Sequence, residues 1–383
     1  SIVGAYLLLQ TGKEIAKTRG DDSYGPAFAA AGGTVGTIMG AFVALLFVFV
    51  VFIAYYQLFR RKMRRDRSRK RESYRKIYRI LLMTIAPVIL SATVYNISDF
   101  LDTAIFNNIM AAQGASKTEY ASLMGIFGSQ FNTLINVPLS VATALASSLI
   151  PSLVATVQTG SRKQVHNKID TAIRFNMMIA IPCAVGLTIL AKPLMDLLFY
   201  TEDNTTAALM LQLGAISVVF FCPSTLTNSV LQGLDDMMTP VKNSSIALAV
   251  HVLSLLVMLV AFKWNIYAVV MSRTIFAATV YMLNSHALRE RIGYVQERKR
   301  TFILPTIAAG IMGAVAVIVH LLFELFAGTR IATVFALLAA VPTYGIALVL
   351  LGGVTEDEIE NMPKGTLLLS ICRKMHLFRD VYR

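Results

Sequence analysis

The chain has 383 residues, 56% hydrophobic and only 15% charged, with a formal net charge of +13. Soluble domains carry about 25% charged residues, so the composition argues against a soluble protein and for an all-α integral membrane fold. Cys183, Cys222 and Cys372 are scattered and offer neither metal-ligand spacing nor a disulfide framework.

The chain starts at Ser1 inside an apolar segment, IVGAYLLL, without Met or a basic leader. We therefore expect a longer protein to precede it. Apolar runs predict about ten transmembrane helices, over 1–17, 27–57, 80–107, 121–155, 168–190, 206–232, 244–262, 266–287, 302–326 and 331–352. In the second, the run GGTVGTIMG spaces Gly32, Gly36 and Gly40 four residues apart, with Gly33 beside them. Small residues there let two helix backbones approach closely.

Residues 60–79, RRKMRRDRSRKRESYRKIYR, hold twelve Lys or Arg against Asp66 and Glu72. A polycation pinned between two spans cannot enter a DNA groove as a free arm does, so no nucleic-acid partner is expected. It reads as a cytoplasmic loop resting on anionic membrane lipid.

The span after it contains YNISDFLDTAIFNN, in which Asn96, Asp99 and Asp102 recur every third residue and share a broad face. Carboxylates inside a span usually face a cavity or a partner. At 1.5 Å per residue Asp99 lies roughly 28 Å past Ile80, close to the outer end of the predicted span. A cavity role and an outer-surface cap are both open. In the next span Ser129, Thr133, Asn136, Ser140, Thr143 and Ser147 are spaced 4, 3, 4, 3 and 4, a polar stripe along one helix face. Such a stripe lines a water-filled cavity or packs by hydrogen bonds on another helix.

Pro87, Pro138, Pro151, Pro182, Pro223 and Pro342 fall in or at the ends of spans, where membrane helices tolerate them. His251, near the inner end of its predicted span, reads as a satisfied structural residue. Arg273 sits about 10 Å inside the outer end of its span, within snorkelling reach. No His/Cys/Asp cluster has metal spacing and no nucleotide-binding loop appears. The expectation is a protein without catalytic residues, metal or cofactor, and not an enzyme.

The loops alternate in charge. Loops 60–79, 156–174, 233–243 and 288–301, with the tail from 353, hold 27 of the 35 Lys and Arg. The opposite set holds five, balanced by acids. The basic set is expected in the cytoplasm, which places the C-terminus on the cytoplasmic side of the cell membrane. In the tail, Leu367, Leu368, Ile371, Met375 and Leu377 suggest an amphipathic surface helix or a disordered end.

Leu231-Gln232-Gly233 followed by Pro240-Val241-Lys242-Asn243 resembles the helix–cytoplasmic turn–helix signature of polysaccharide transporters in the multidrug/oligosaccharidyl-lipid/polysaccharide exporter superfamily. Asn96 to Phe100, NISDF, resembles the seventh span of its lipid II flippase and stage V sporulation protein B branch, and Glu356 to Gly365, EDEIENMPKG, resembles the end of that branch. Asp235 and Asp236 depart from the Gly-Lys type pair common in the turn.

The resemblance implies a two-lobe transporter of about fourteen helices, of which this chain holds spans five to fourteen. Residues 1–59 would close the N-lobe, 60–79 link the lobes, 80–290 form a six-helix C-lobe, 291–352 add two helices, and 353–383 form a cytoplasmic tail. The family's head-group residues would mostly precede this chain. The implied function is flipping of a lipid-linked oligosaccharide or peptidoglycan precursor by alternating access, by a monomer, for cell-wall or spore-wall synthesis. The alternatives are a drug/cation antiporter of the same superfamily and a non-transporting scaffold for envelope or spore-wall assembly. Asn96, Asp99, Asp102, Asn136 and Arg273 are the residues expected nearest the substrate or ion cavity.

Overall fold

The computed structural model describes residues 2–20, 24–65, 73–158, 160–199, 203–354 and 356. Residues 66–72 of the basic stretch, Cys372 and the expected amphipathic tail lie outside the described residues. Among the described residues all regular structure is helical, and each of the ten predicted spans is a helix or helix pair.

The chain forms two compact units, residues 1–78 and 79–383. In the first, α1 (Ile2–Arg19) and α2 (Tyr24–Arg65) pair as a hairpin. Arg19 donates to the Tyr24 hydroxyl at 3.0 Å beside the turn. The close approach is made at Gly4 and Gly32, where a Cβ on Gly4 would stand 2.7 Å from the Gly32 carbonyl oxygen. Gly33 and Gly40 face open space, so of these three glycines Gly32 alone meets α1.

The second unit begins within α3 (Tyr74–Ala112). Then come α4 (Lys117–Ile126), a π-helical turn at Phe127–Phe131, and α5 (Asn132–Gln158), one 42-residue rod. Ser116 caps α4 by accepting from the Glu119 amide at 3.2 Å. α6 (Arg162–Ile189) leads into the short α7 (Ala191–Leu198). α8 (Thr205–Gly214) and α9 (Ile216–Gly233) form a span bent by 49°. A side chain on Gly214 would collide with the Phe131 ring and Val270, so the bend sits where the backbone approaches the π-turn.

α10 (Met238–Val260) and α11 (Ile266–Ile292) pair closely. α12 (Leu304–Leu350) is two spans in sequence, broken at Gly328 with φ 79° and ψ 160°, a conformation open essentially to glycine. All six prolines noted in the sequence lie inside helices. Among the described residues six helices are long and apolar enough to cross a membrane, and the bent α8–α9 pair makes a seventh.

The core of the second unit is where α5, α6, α9 and α11 meet. α5 and the π-turn before it bring Phe131, Ile135, Ala142, Ala146 and Leu153 inward, and α6 offers Ile169, Ile173, Met177 and Ala180. Alanines at the crossings let helices approach closely in a setting without a hydrophobic drive between them. At the helix ends, Tyr294 donates to Asp170 Oδ1 at 2.6 Å and His166 Nε2 lies 2.9 Å from the Ile292 carbonyl oxygen. Burial pushes the Tyr294 phenol well above its usual range, and the Asp170 carboxylate pushes it further, so it remains a donor.

Candidate functional site

α3 docks on the rest of the second unit by a sequence of polar side chains at helical spacing. Tyr95 accepts from Asn228 of α9 at 2.9 Å. Asp99 Oδ1 lies 2.9 Å from Arg273 Nη1 of α11. Asp102 Oδ1 lies 2.8 Å from His251 Nε2 of α10. Gln113 donates to the Leu259 carbonyl of α10 at 3.0 Å. Phe106, fully buried, fills the face between them.

Two of these pairs differ in setting. Asp99 is 57% exposed and Arg273 22%, with the Arg273 guanidinium over the Phe127 ring at 5.5 Å. This pair borders water and is cheap to form. Asp102 and His251 have side chains 1% and 0% exposed, with the Phe276 ring set edge-on to the imidazole. Asp102 Oδ2 and His251 Nδ1 are buried without a hydrogen-bond partner.

The helix bounds expected from sequence are corrected here. α3 continues to Ala112, so Asp99 lies roughly 20 Å short of the helix end, on an exposed face of α3. α10 begins at Met238, not near 244, so His251 is mid-helix and not near an end. The apolar window underestimates both helices because their ends are polar. Asp102 is in packed interior on His251, neither on an aqueous surface nor an exposed cap.

The polar stripe, which starts in the π-turn and runs along α5, is exposed at Ser129, Thr133, Asn136, Ser140, Thr143 and Ser147. Ser140, Thr143 and Ser147 donate to their own helix four residues back, at 2.7, 2.9 and 2.9 Å. Asn96 is also exposed, on α3. Of the five expected residues the structure thus joins Asp99 to Arg273, buries Asp102, and leaves Asn96 and Asn136 on exposed faces.

Sequence reasoning missed a buried amide network. Asn243 donates to Asn284 at 2.9 Å, and Asn284 donates to Asn228 at 2.7 Å and to Thr227 at 3.2 Å. It tied none of Asn228, Asn243 and Asn284 to a partner, although Asn228 and Asn284 are strong polar groups in otherwise apolar predicted spans, and that was the available signal.

At the signature turn, Asp235 takes φ 62°, where a glycine would be unstrained. Asp236 accepts from the Thr239 amide at 3.2 Å and hydroxyl at 2.7 Å, and pairs with Arg291. The departure from the Gly-Lys pair is thus a turn staple.

A separate apolar cavity of about 500 Å³ lies between α5, α6, α7 and both halves of α12. Pro138, Pro182, Gly186, Met312, Gly313 and Val341 line it.

The family model for lipid II flippase MurJ matches residues 2–341. Lipid II flippase MurJ of Bacillus subtilis (strain 168) is 25% identical over 170 residues, 43% of this chain and 30% of that protein. The probable lipid II flippase MurJ of Bdellovibrio bacteriovorus is 24% identical over 258 residues, 64% of this chain and 48% of that protein. The chain spans half or less of the length of these relatives. Among solved structures, lipid II flippase MurJ in an inward closed conformation is similar with a TM-score of 0.56 and 15% identity, covering 90% of this chain and 65% of that one. That likeness supports the fold. With the match running over most of its length, the chain belongs to the lipid II flippase MurJ family.

Proposed function

We propose that this chain works in a transporter, not an enzyme, that flips a lipid-linked peptidoglycan precursor across the cytoplasmic membrane by alternating access. The observation that carries the proposal is the stripe on α5 and the π-turn before it, six polar side chains exposed along one face of a rod whose opposite face is packed core. Hydroxyls and an amide facing lipid would be wasted, whereas a polar, anionic head group crossing about 30 Å of hydrocarbon needs such a wall. Asn96, Asp99 and Arg273 extend that wall, with Asn136 within it. The apolar cavity between α6 and α12 suits an isoprenoid tail, which can stay in an apolar setting while the head group moves.

In this reading residues 1–59 supply the last two helices of an N-lobe and 60–79 a cytoplasmic linker on anionic lipid. Residues 80–290 form the C-lobe, 291–352 two further spans, and 353–383 a cytoplasmic tail. The working unit is a monomer.

The test is reconstitution of the full-length protein in liposomes with a fluorescent polyprenyl-diphospho-sugar, followed by quenching with an impermeant reductant. Protein-dependent exposure of the inner-leaflet pool is expected. Retention of that pool, with the protein folded and inserted, would overturn the proposal.

A further inference from the structure

We propose that Asp102 and His251 together form a proton-binding site, loaded when α3 is packed on α10 and α11 and emptied when α3 separates from them. The pair is made between two helices, 2.8 Å apart, with neither side chain open to solvent. Each partner also keeps one buried atom without a hydrogen bond, Asp102 Oδ2 and His251 Nδ1. Buried polar atoms are nearly always satisfied, and of ten exceptions among the described residues these two belong to side chains that bond to each other.

Charge counting identifies the ligand. α3 brings two carboxylates, Asp99 and Asp102, one turn apart. α11 brings Arg273, which Asp99 engages, while its other charged residues, Arg289, Glu290 and Arg291, lie in its last turn, at least four turns further along. α10 brings His251, and its nearest charged residue is Lys242, more than two turns away. α9 carries no charged residue, and Tyr95 of α3 is held by Asn228. The cluster is therefore neutral only when the Asp102–His251 pair holds one proton, whichever of the two residues carries it.

Without that proton a net negative charge sits in packed interior, which a membrane protein strongly disfavours. Water must then reach the carboxylate, and the route is separation of α3 from α10. The step moves one proton between the pair and water, with no electron transfer. α3 is suited to such movement, because side chains at Tyr95, Asp99, Asp102 and Gln113 latch it to α9, α10 and α11. One of those four latches is proton-dependent. On the flippase reading, loading from one side and release to the other would tie proton movement to opening of the lobe.

The site itself is tested without that reading. In protein whose Cys183, Cys222 and Cys372 are replaced by alanine, Ser98→Cys reports a buried position on α3 and Thr103→Cys an exposed one. The ratio of their maleimide labelling rates removes the shared part of thiol ionisation, and comparison with the variants removes the rest. It is expected to rise at least fivefold from pH 5.5 to 8.5. In Asp102→Asn/His251→Gln, which keeps a neutral hydrogen-bonding pair, the rise should vanish. Asp102→Asn alone, which leaves no carboxylate to expose, serves if the double variant does not fold and should also lose the rise. A flat ratio with the native pair, or an equal rise in either variant, would overturn the proposal. In liposomes with the potential clamped, a two-unit pH gradient should change movement of the fluorescent polyprenyl-diphospho-sugar at least threefold, and not at all in the variant. Immobility of that probe in every condition would count against the flippase reading alone.

Discussion

Asn284 stands between Asn243 and Asn228, accepting from the first at 2.9 Å and donating to the second at 2.7 Å. It is fully buried, and through it α11 is joined to both α9 and α10. Asn284→Ala deletes three hydrogen bonds at once and leaves the two other amides short of partners. A loss of about 1–3 kcal/mol is expected, above the average for a single interhelical bond in a membrane. A thermal-shift measurement in detergent checks it, and Asn284→Asp, which keeps two acceptors but no donor, should rescue little.

The two carboxylates of α3 separate in a mutant comparison. Asp99→Asn removes a partly hydrated ion pair, so folding should change by less than about 1 kcal/mol. Transport in the full-length protein is expected to fall several-fold while membrane levels stay normal. Asp102→Leu leaves His251 without its buried partner and should lower membrane levels, at a cost of about 3 kcal/mol or more. Equal membrane levels for the two variants would contradict the burial difference between them.

The signature turn gives opposite signs at neighbouring positions. Asp235→Gly relieves a left-handed backbone and should stabilise by up to about 1 kcal/mol. Asp236→Ala removes the acceptor for Thr239 and the partner of Arg291, and should destabilise by about 1–2 kcal/mol. The unfolding midpoints of the two variants should therefore fall on either side of the parent.

The apolar cavity can be filled from within. A Cβ at Gly186 would meet only Met312 Cε, at 3.9 Å, so the site accepts a side chain. Gly186→Phe is expected to leave stability within about 1 kcal/mol and to slow transport of a long-chain isoprenoid substrate more than a short-chain one. Equal slowing of both would remove the tail from this cavity.

Orientation rests on the basic stretch. Cysteine placed at Ser68 is expected to resist an impermeant external maleimide in intact cells and to react after permeabilisation. Ready external labelling would invert the topology.

Helix identity was legible because long apolar runs leave the backbone no other way to satisfy itself in lipid. Asp99 and Arg273 were legible as candidates for a related reason: a charged side chain in a span is rare and usually faces a cavity or a partner. The same logic would have reached His251, had its depth not been read from an apolar window that begins six residues after the helix does. The amide network was not legible. Its bonded partners lie 41 to 57 residues apart, and only packing decides which asparagine meets which. The turn aspartates read as departures because the sequence shows residue type and not φ.

The π-helical turn at Phe127–Phe131 puts one residue more into the rod than an α-helix would hold. It acts as a fixed rotation of roughly 100° between α4 and α5, the angle one helical residue subtends. That offset sets Phe131 and Ile135 toward the core while Thr133 and Asn136 turn outward. Removing a single residue from the turn would swing α5 about its own axis and present its wet side to Ala180 and Met177. The polar wall thus depends on a phase, set by one extra residue at its near end, as much as on the serines and threonines that compose it.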